Sequence, residues 1–132
     1  MSGHDSAVGR LYEAFIAGDE AGLDKVFADD ATWHEPGGVE GFSGDHRGKA
    51  AILAFFGKVA EKSGGTFRPE KHDILVSDQH EILVFRGQAS AGGRSLDATQ
   101  VLLAHTRDGR ISEVWMHVGG DLSAWEGFWS GG

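Results

Sequence analysis

Within Ala-Thr-Trp-His-Glu-Pro-Gly-Gly, residues 31–38, one carboxylate, Glu35, stands directly before a proline. Pro36 fixes its own φ, offers no N–H to a strand ladder and biases the preceding residue toward extended geometry. A strand is therefore expected to stop at Glu35, with a Pro-Gly-Gly turn after it. Buried beside Trp33 at such a strand end, the carboxylate would lose solvation, its pKa would rise, and it would serve as a proton shuttle near neutral pH. The alternative is an exposed glutamate at the mouth of a turn.

Other chemistries find less support. His4, His34, His46, His72, His80, His105 and His117 form no HxH or HExxH pattern, so no metal and no cofactor are expected. His34 alternates with Glu35 and should point away from it, as a supporting or interface residue. His117 falls on the Trp115 side of its strand, either at a subunit seam or simply exposed to solvent. The chain has no cysteine, which excludes disulfides, thiolate metal sites and cysteine nucleophiles. No serine sits in a nucleophile elbow, and Gly37-Gly38 leads into Val39-Glu40 without a P-loop lysine, so acyl-serine chemistry and nucleotide binding fall away.

With 132 residues and 40% apolar content, the chain is expected to form one domain, residues 1–132, with a substantial core. The net charge is −8 and the twelve Lys and Arg residues are scattered, which argues against a nucleic-acid partner. No window approaches ~18 consecutive apolar residues, and the start lacks the apolar run of a signal peptide, so a soluble, cytoplasmic protein without a membrane partner is expected.

The elements that must position Glu35 follow from periodicity. Val8, Leu11, Tyr12, Phe15 and Ile16 lie on one face of a helix over residues 5–17 that Gly18 ends. Asp19 can cap a second helix burying Leu23, Val26 and Phe27, and the strand over residues 31–35 follows. Residues 41–48 read as a loop or irregular hairpin. A third helix over residues 49–62 carries Ile52, Phe55, Phe56 and Val59. Downstream, residues 67–76, 81–89, 95–105 and 110–118 read as an antiparallel meander with turns at Ser77-Asp78, Gly92-Gly93 and Asp108-Gly109. In the last strand Val114, Met116 and Val118 should face one way, and Ile111, Trp115 and His117 the other, toward a partner subunit. Asp121 reads as the cap of a tail helix with Leu122, Trp125 and Phe128 or Trp129 on one side. Helices first and strands afterwards make an α+β fold.

The order of these elements, with the segments LYEAFIAGD, ATWHEP, GDHRGKAAILAFF and RDGRISEVW, resembles the nuclear transport factor 2-like superfamily, nearest its SnoaL-like branch related to ketosteroid isomerase and limonene epoxide hydrolase. The resemblance implies a cone-shaped α+β fold in which a strongly curved antiparallel sheet and three helices enclose an apolar pocket, commonly in a homodimer. It puts Glu35 where the isomerases place a general-base aspartate before proline. Their oxyanion tyrosine falls on Leu11, with Tyr12 one residue away, and their oxyanion aspartic acid falls near Gln100. The Arg-x-Asp pair of the epoxide hydrolases falls on Arg86 and Gln88, and their second aspartate on Met116, so two acids are missing and that chemistry is not expected. An acid at Asp121 also recurs in the SnoaL-like pattern, although capping explains it.

The expected function is cofactor-free proton transfer, of isomerase or cyclase type, on a small hydrophobic carbonyl-bearing ligand. Glu35 is the catalytic group. Tyr12, Arg86, Gln88 and Gln100 are the polar contacts, and Trp33 and Met116 the walls. A noncatalytic ligand-binding or dimeric assembly module of the same fold is the competing expectation.

Overall fold

The computed structural model describes residues 6–131; His4, Asp5 and the predicted start of the first helix lie outside the described residues. The elements are α1 (Ala7–Ala17), α2 (Glu20–Val26), β1 (Phe27–Glu35), β2 (Gly44–Arg47), α3 (Lys49–Ser63), β3 (Arg68–Val76), β4 (His80–Ala91), β5 (Arg94–Arg107), β6 (Arg110–Val118) and α4 (Leu122–Ser130). Among the described residues, no helix is long and apolar enough to cross a membrane.

Local chemistry sets the helix ends. Ser6 caps α1 by accepting from the N–H of Gly9, and Gly18, at φ 66°, closes it in the left-handed conformation. Asp19 caps α2 through the N–H of Gly22, and Asp121 caps α4 through the N–H of Ser123. Val8, Leu11 and Ala14 bury one face of α1, with Tyr12 and Phe15 packed against the same core. Ile16, expected on that face, is 49% exposed because it falls in the last turn of α1, beyond the core. Leu122 is likewise exposed, at the first turn of α4.

The six strands form one curved sheet in the order β2-β1-β6-β5-β4-β3. Most neighbours are antiparallel, but β1 runs parallel to β6, with Trp33 opposite Val114, a pairing the meander alone did not disclose. The segment over residues 41–48, expected as a loop or irregular hairpin, contains β2, which pairs antiparallel with the end of β1, Glu35 opposite Gly44. Phe27, expected on α2, begins β1 instead and is fully buried opposite Ile111. The β4–β5 hairpin turns on Gly92 and Gly93 and the β5–β6 hairpin on Asp108 and Gly109, all four at positive φ. That backbone matches the right-handed twist of the flanking strands.

One bulge changes the reading of β6. The β5–β6 register shifts between His105 and Thr106, so that Thr106 faces Ile111 and His105 faces Glu113. The extra residue, Ser112, turns Ile111 inward, where it is fully buried with Val114. Trp115 and His117 keep the outer face.

On the inner face of the sheet, Trp33, Phe85, Leu102 and Met116 meet Leu11 of α1, Phe55 of α3 and Trp125 and Trp129 of α4. On the outer face, register places His34, Trp115, Leu103, Ile82 and Leu75 in one row across five strands. The first four are half-buried and Leu75 is exposed.

Candidate functional site

Between the inner face of the sheet and the helices lies a small cavity of about 70 Å³. Its walls are almost wholly apolar and aromatic. Glu35 is the only carboxylate lining it, and no lysine, arginine or histidine does so among the described residues.

Glu35 reaches the cavity because it is the last residue of β1 and shares the inward parity of Ala31 and Trp33. Its residue is 6% exposed. Trp33 Nε1 donates to Glu35 Oε1 at 2.8 Å, an i, i+2 pair on one strand face. Burial pushes the Glu35 pKa up to about 8, opposed by the Trp33 hydrogen bond. At pH 7 the protonated form is favoured, and the group can give or take a proton near neutrality. Pro36 ends the strand as expected, and Glu126 of α4 accepts from the N–H of Gly38 at 2.7 Å, tying the turn after Glu35 to the helix across the cavity.

Of the other sequence-predicted residues, Tyr12, Trp33, Gln100 and Met116 line the cavity. Tyr12 does so with its ring; its hydroxyl donates to Pro69 O and accepts from the N–H of Lys71, each at 3.1 Å, clamping α1 to β3 beside the β3 bulge. Gln100 is 2% exposed. Its Nε2 contacts Met116 Sδ at 3.6 Å and its Oε1 has no partner. The amide fits because Gly87, on the neighbouring strand, has no side chain: a Cβ there would stand 2.1 Å from Gln100 Oε1.

Arg86 and Gln88 are not brought to the site. Phe85 and Gly87 occupy the inward positions of β4, so alternation sends Arg86 and Gln88 outward, where both are exposed. Arg86 makes a two-pronged pair with Asp97, Nε to Oδ1 at 2.8 Å and an amino nitrogen to Oδ2 at 2.6 Å. Asp121 is exposed and caps α4, away from the chemistry. His117 is exposed on the outer face.

His34 also lies outside, held between Asp45 and Glu113 at 2.6 Å each and stacked on Trp115 at 5.8 Å. Partial burial pulls its pKa down, but the hydrogen bonds to Glu113 and Asp45 and their charges outweigh this and hold it above the ordinary histidine value.

Sequence reasoning missed Trp125 and Trp129 as cavity residues. The apolar face of α4 was legible, but nothing local shows that the helix crosses the cavity. Trp129 stacks on Phe42 at 4.7 Å and approaches Phe67 at 5.8 Å, so α4 is a packed wall.

The family model for the SnoaL-like domain matches residues 8–114. The chain is 33% identical over 124 residues to the uncharacterized protein Rv0034 of Mycobacterium tuberculosis (strain ATCC 25618 / H37Rv), covering 93% of each chain. Among solved structures it is similar to Bal32a, from a soil-derived mobile gene cassette, with a TM-score of 0.88, 37% identity and 93% of each chain covered. It also shares its fold with IdmH of Streptomyces antibioticus, a proposed polyketide cyclase, with a TM-score of 0.74, 23% identity, 95% of this chain and 99% of that one covered.

Proposed function

Because this chain belongs to the SnoaL-like domain family, we propose that it binds a small hydrophobic, carbonyl-bearing metabolite and catalyses a cofactor-free proton transfer of isomerase or cyclase type, with Glu35 as the shuttle. The observation that carries this reading is a lone carboxyl group, buried in an apolar cavity, with its pKa raised to about 8. A group of that pKa can remove a proton next to a carbonyl and return it elsewhere without a metal, and Trp33 keeps one of its oxygens fixed. IdmH, of the same fold, is a proposed cyclase, which is the same class of chemistry.

Native mass spectrometry of the purified protein, followed by a metabolite screen, would identify the ligand. On that ligand, Glu35→Gln is expected to lose ~100- to 10,000-fold in turnover with binding and fold retained. Wild-type turnover in Glu35→Gln would refute the assignment.

One observation favours a second reading, a noncatalytic binding module. Leu11, where the resemblance to the isomerases would put a tyrosine, is apolar and buried, and no acid stands over residues 100–102, where it would put an aspartic acid. A neutral Glu35 would then donate to a ligand carbonyl without moving its proton, and the same variant would lose affinity instead of turnover. In either reading the outer row of Trp115, Leu103 and Ile82 is taken to be covered by a second copy of the chain. Light scattering at micromolar concentration is expected to give a dimer, and a monomer would overturn that part.

A further inference from the structure

The cavity around Glu35, at about 70 Å³, has room for about two waters at ~30 Å³ each and is smaller than the ~150 Å³ apolar cavity that takes up benzene. A ring-sized ligand therefore reaches Glu35 only where a wall yields. Most seams of the wall are fastened. Strands β1, β6, β5 and β4 are hydrogen-bonded neighbours in the sheet. Glu126 of α4 holds the turn at Gly38, Lys58 of α3 donates to Gly41 O at 2.6 Å, and the Tyr12 hydroxyl clamps α1 to β3.

Between α1 and α3 the wall is made of rings. Phe15 of α1 stands edge-on to Phe56 of α3 at 5.5 Å and to Phe67, just before β3, at 6.0 Å. These three rings are half-buried, whereas the cavity's other phenylalanine and tryptophan rings are buried. Together with Val59 they also line an open outer groove of about 520 Å³, so they are the partition between groove and cavity. Gly57 of α3 is exposed and lines the groove alone. Glycine is disfavoured inside a helix, and a Cβ at this position would meet nothing within 4 Å, so packing does not call for it. A side chain there would instead fill the groove in front of the rings.

Resting on the reading of the cavity as a ligand site, we propose that ligands enter between α1 and α3, through a gate formed by Phe15, Phe56 and Phe67, and that Gly57 keeps the approach to it open. The rings turn aside and close again behind the ligand, shutting water out of the site. Parting them breaks only apolar contacts, so no buried donor or acceptor is left unpaired while the gate stands open. The hydrogen-bonded seams elsewhere in the wall lack that freedom.

The test uses the tryptophans as reporters. Of the four in the chain, Trp33, Trp125 and Trp129 line the cavity and are 4%, 2% and 1% exposed; Trp115, on the outer face, is removed by Trp115→Phe. In that background acrylamide, a small uncharged quencher, reaches the remaining indoles only as the cavity opens. Gly57→Leu is expected to lower the quenching rate constant severalfold, and Phe56→Ala to raise it severalfold. Leu102→Ala, which widens the cavity from the sheet side, is expected to leave it unchanged. An unchanged rate in Gly57→Leu overturns the entrance, and a rise in Leu102→Ala equal to that in Phe56→Ala overturns the gate. Should Phe56→Ala fail to fold, Gly57→Leu decides alone. p-Xylene separates this result from the reading of the cavity. Gly57→Leu is expected to slow its uptake and its release by the same factor, with affinity unchanged, and a weakened affinity at an unchanged uptake rate overturns the role of Gly57. Failure of p-xylene to bind even Phe56→Ala, where loss of a ring enlarges the cavity, overturns the cavity as a ligand site, while the quenching rates still decide where it opens.

Discussion

Trp33 Nε1 donates to Glu35 Oε1 at 2.8 Å from two residues away on the same face of β1. This bond favours the ionised carboxylate, opposing the burial that raises the pKa to about 8. Trp33→Phe keeps an aromatic wall and removes the donor, so the pKa of Glu35 should rise further. If Glu35 acts as a base, the acidic limb of the rate-against-pH profile moves to higher pH in this variant. A direct measurement is the Glu35 side-chain carboxyl ¹³C titration; an unmoved or lowered midpoint would show that the bond does not tune the acid.

Gly87 and Gln100 form a second interlocked pair, across β4 and β5. A methyl group at Gly87 would stand 2.1 Å from Gln100 Oε1 and 3.1 Å from Phe67 Cε1, so Gly87→Ala must displace the amide. Overpacking of this kind costs ~1–3 kcal/mol. The cost should shrink in the Gln100→Ala background, where the clash is gone. A double-mutant cycle by urea denaturation measures this, and strict additivity would mean that the two residues do not compete for space.

Much of this arrangement was legible from residue order alone. Pro36 announced the strand end that holds Glu35, the apolar spacing of Val8, Leu11 and Phe15 announced α1, and Asp121 announced its own cap. What failed were facts set by pairing between distant strands. Arg86 and Gln88 face out because Phe85 and Gly87 face in, a parity fixed by the sheet and not by their own chemistry. Ile111 turns inward at a bulge defined against His105 and Thr106, which simple alternation cannot foresee. The role of Trp125 and Trp129 depends on where α4 crosses the sheet, information carried by Glu126 bonding to Gly38, 88 residues earlier.

Burial of Glu35 also has a thermodynamic consequence. Its pKa is about 8 in the folded chain against an ordinary 4.5, so between these values the folded state binds more protons than the unfolded one and stability falls as pH rises. The penalty is absent below pH 4.5, complete above about pH 8, and at most a few kcal/mol. Glu35→Gln removes the titration. Its melting temperature should therefore gain on the wild type as pH increases from 5 to 9, and parallel curves would contradict a buried carboxylate.

His34 on the outer face should add to the same trend for a different reason. Its pKa is held above the usual 6.5 because, against the effect of burial, Glu113 and Asp45 stabilise its charged form; Arg47 also pairs with Asp45, at 3.1 Å. A raised histidine pKa stabilises the fold below 6.5, and the gain disappears as pH climbs through the folded value. Removing one carboxylate separates this effect from that of Glu35. In Glu113→Gln the His34 ring-proton titration should shift to lower pH, whereas Glu35→Gln should leave it in place, since His34 and Glu35 lie on opposite faces of β1. A His34 midpoint that follows Glu35→Gln but ignores Glu113→Gln would mean that the ring answers to the cavity instead of to its two outer carboxylates.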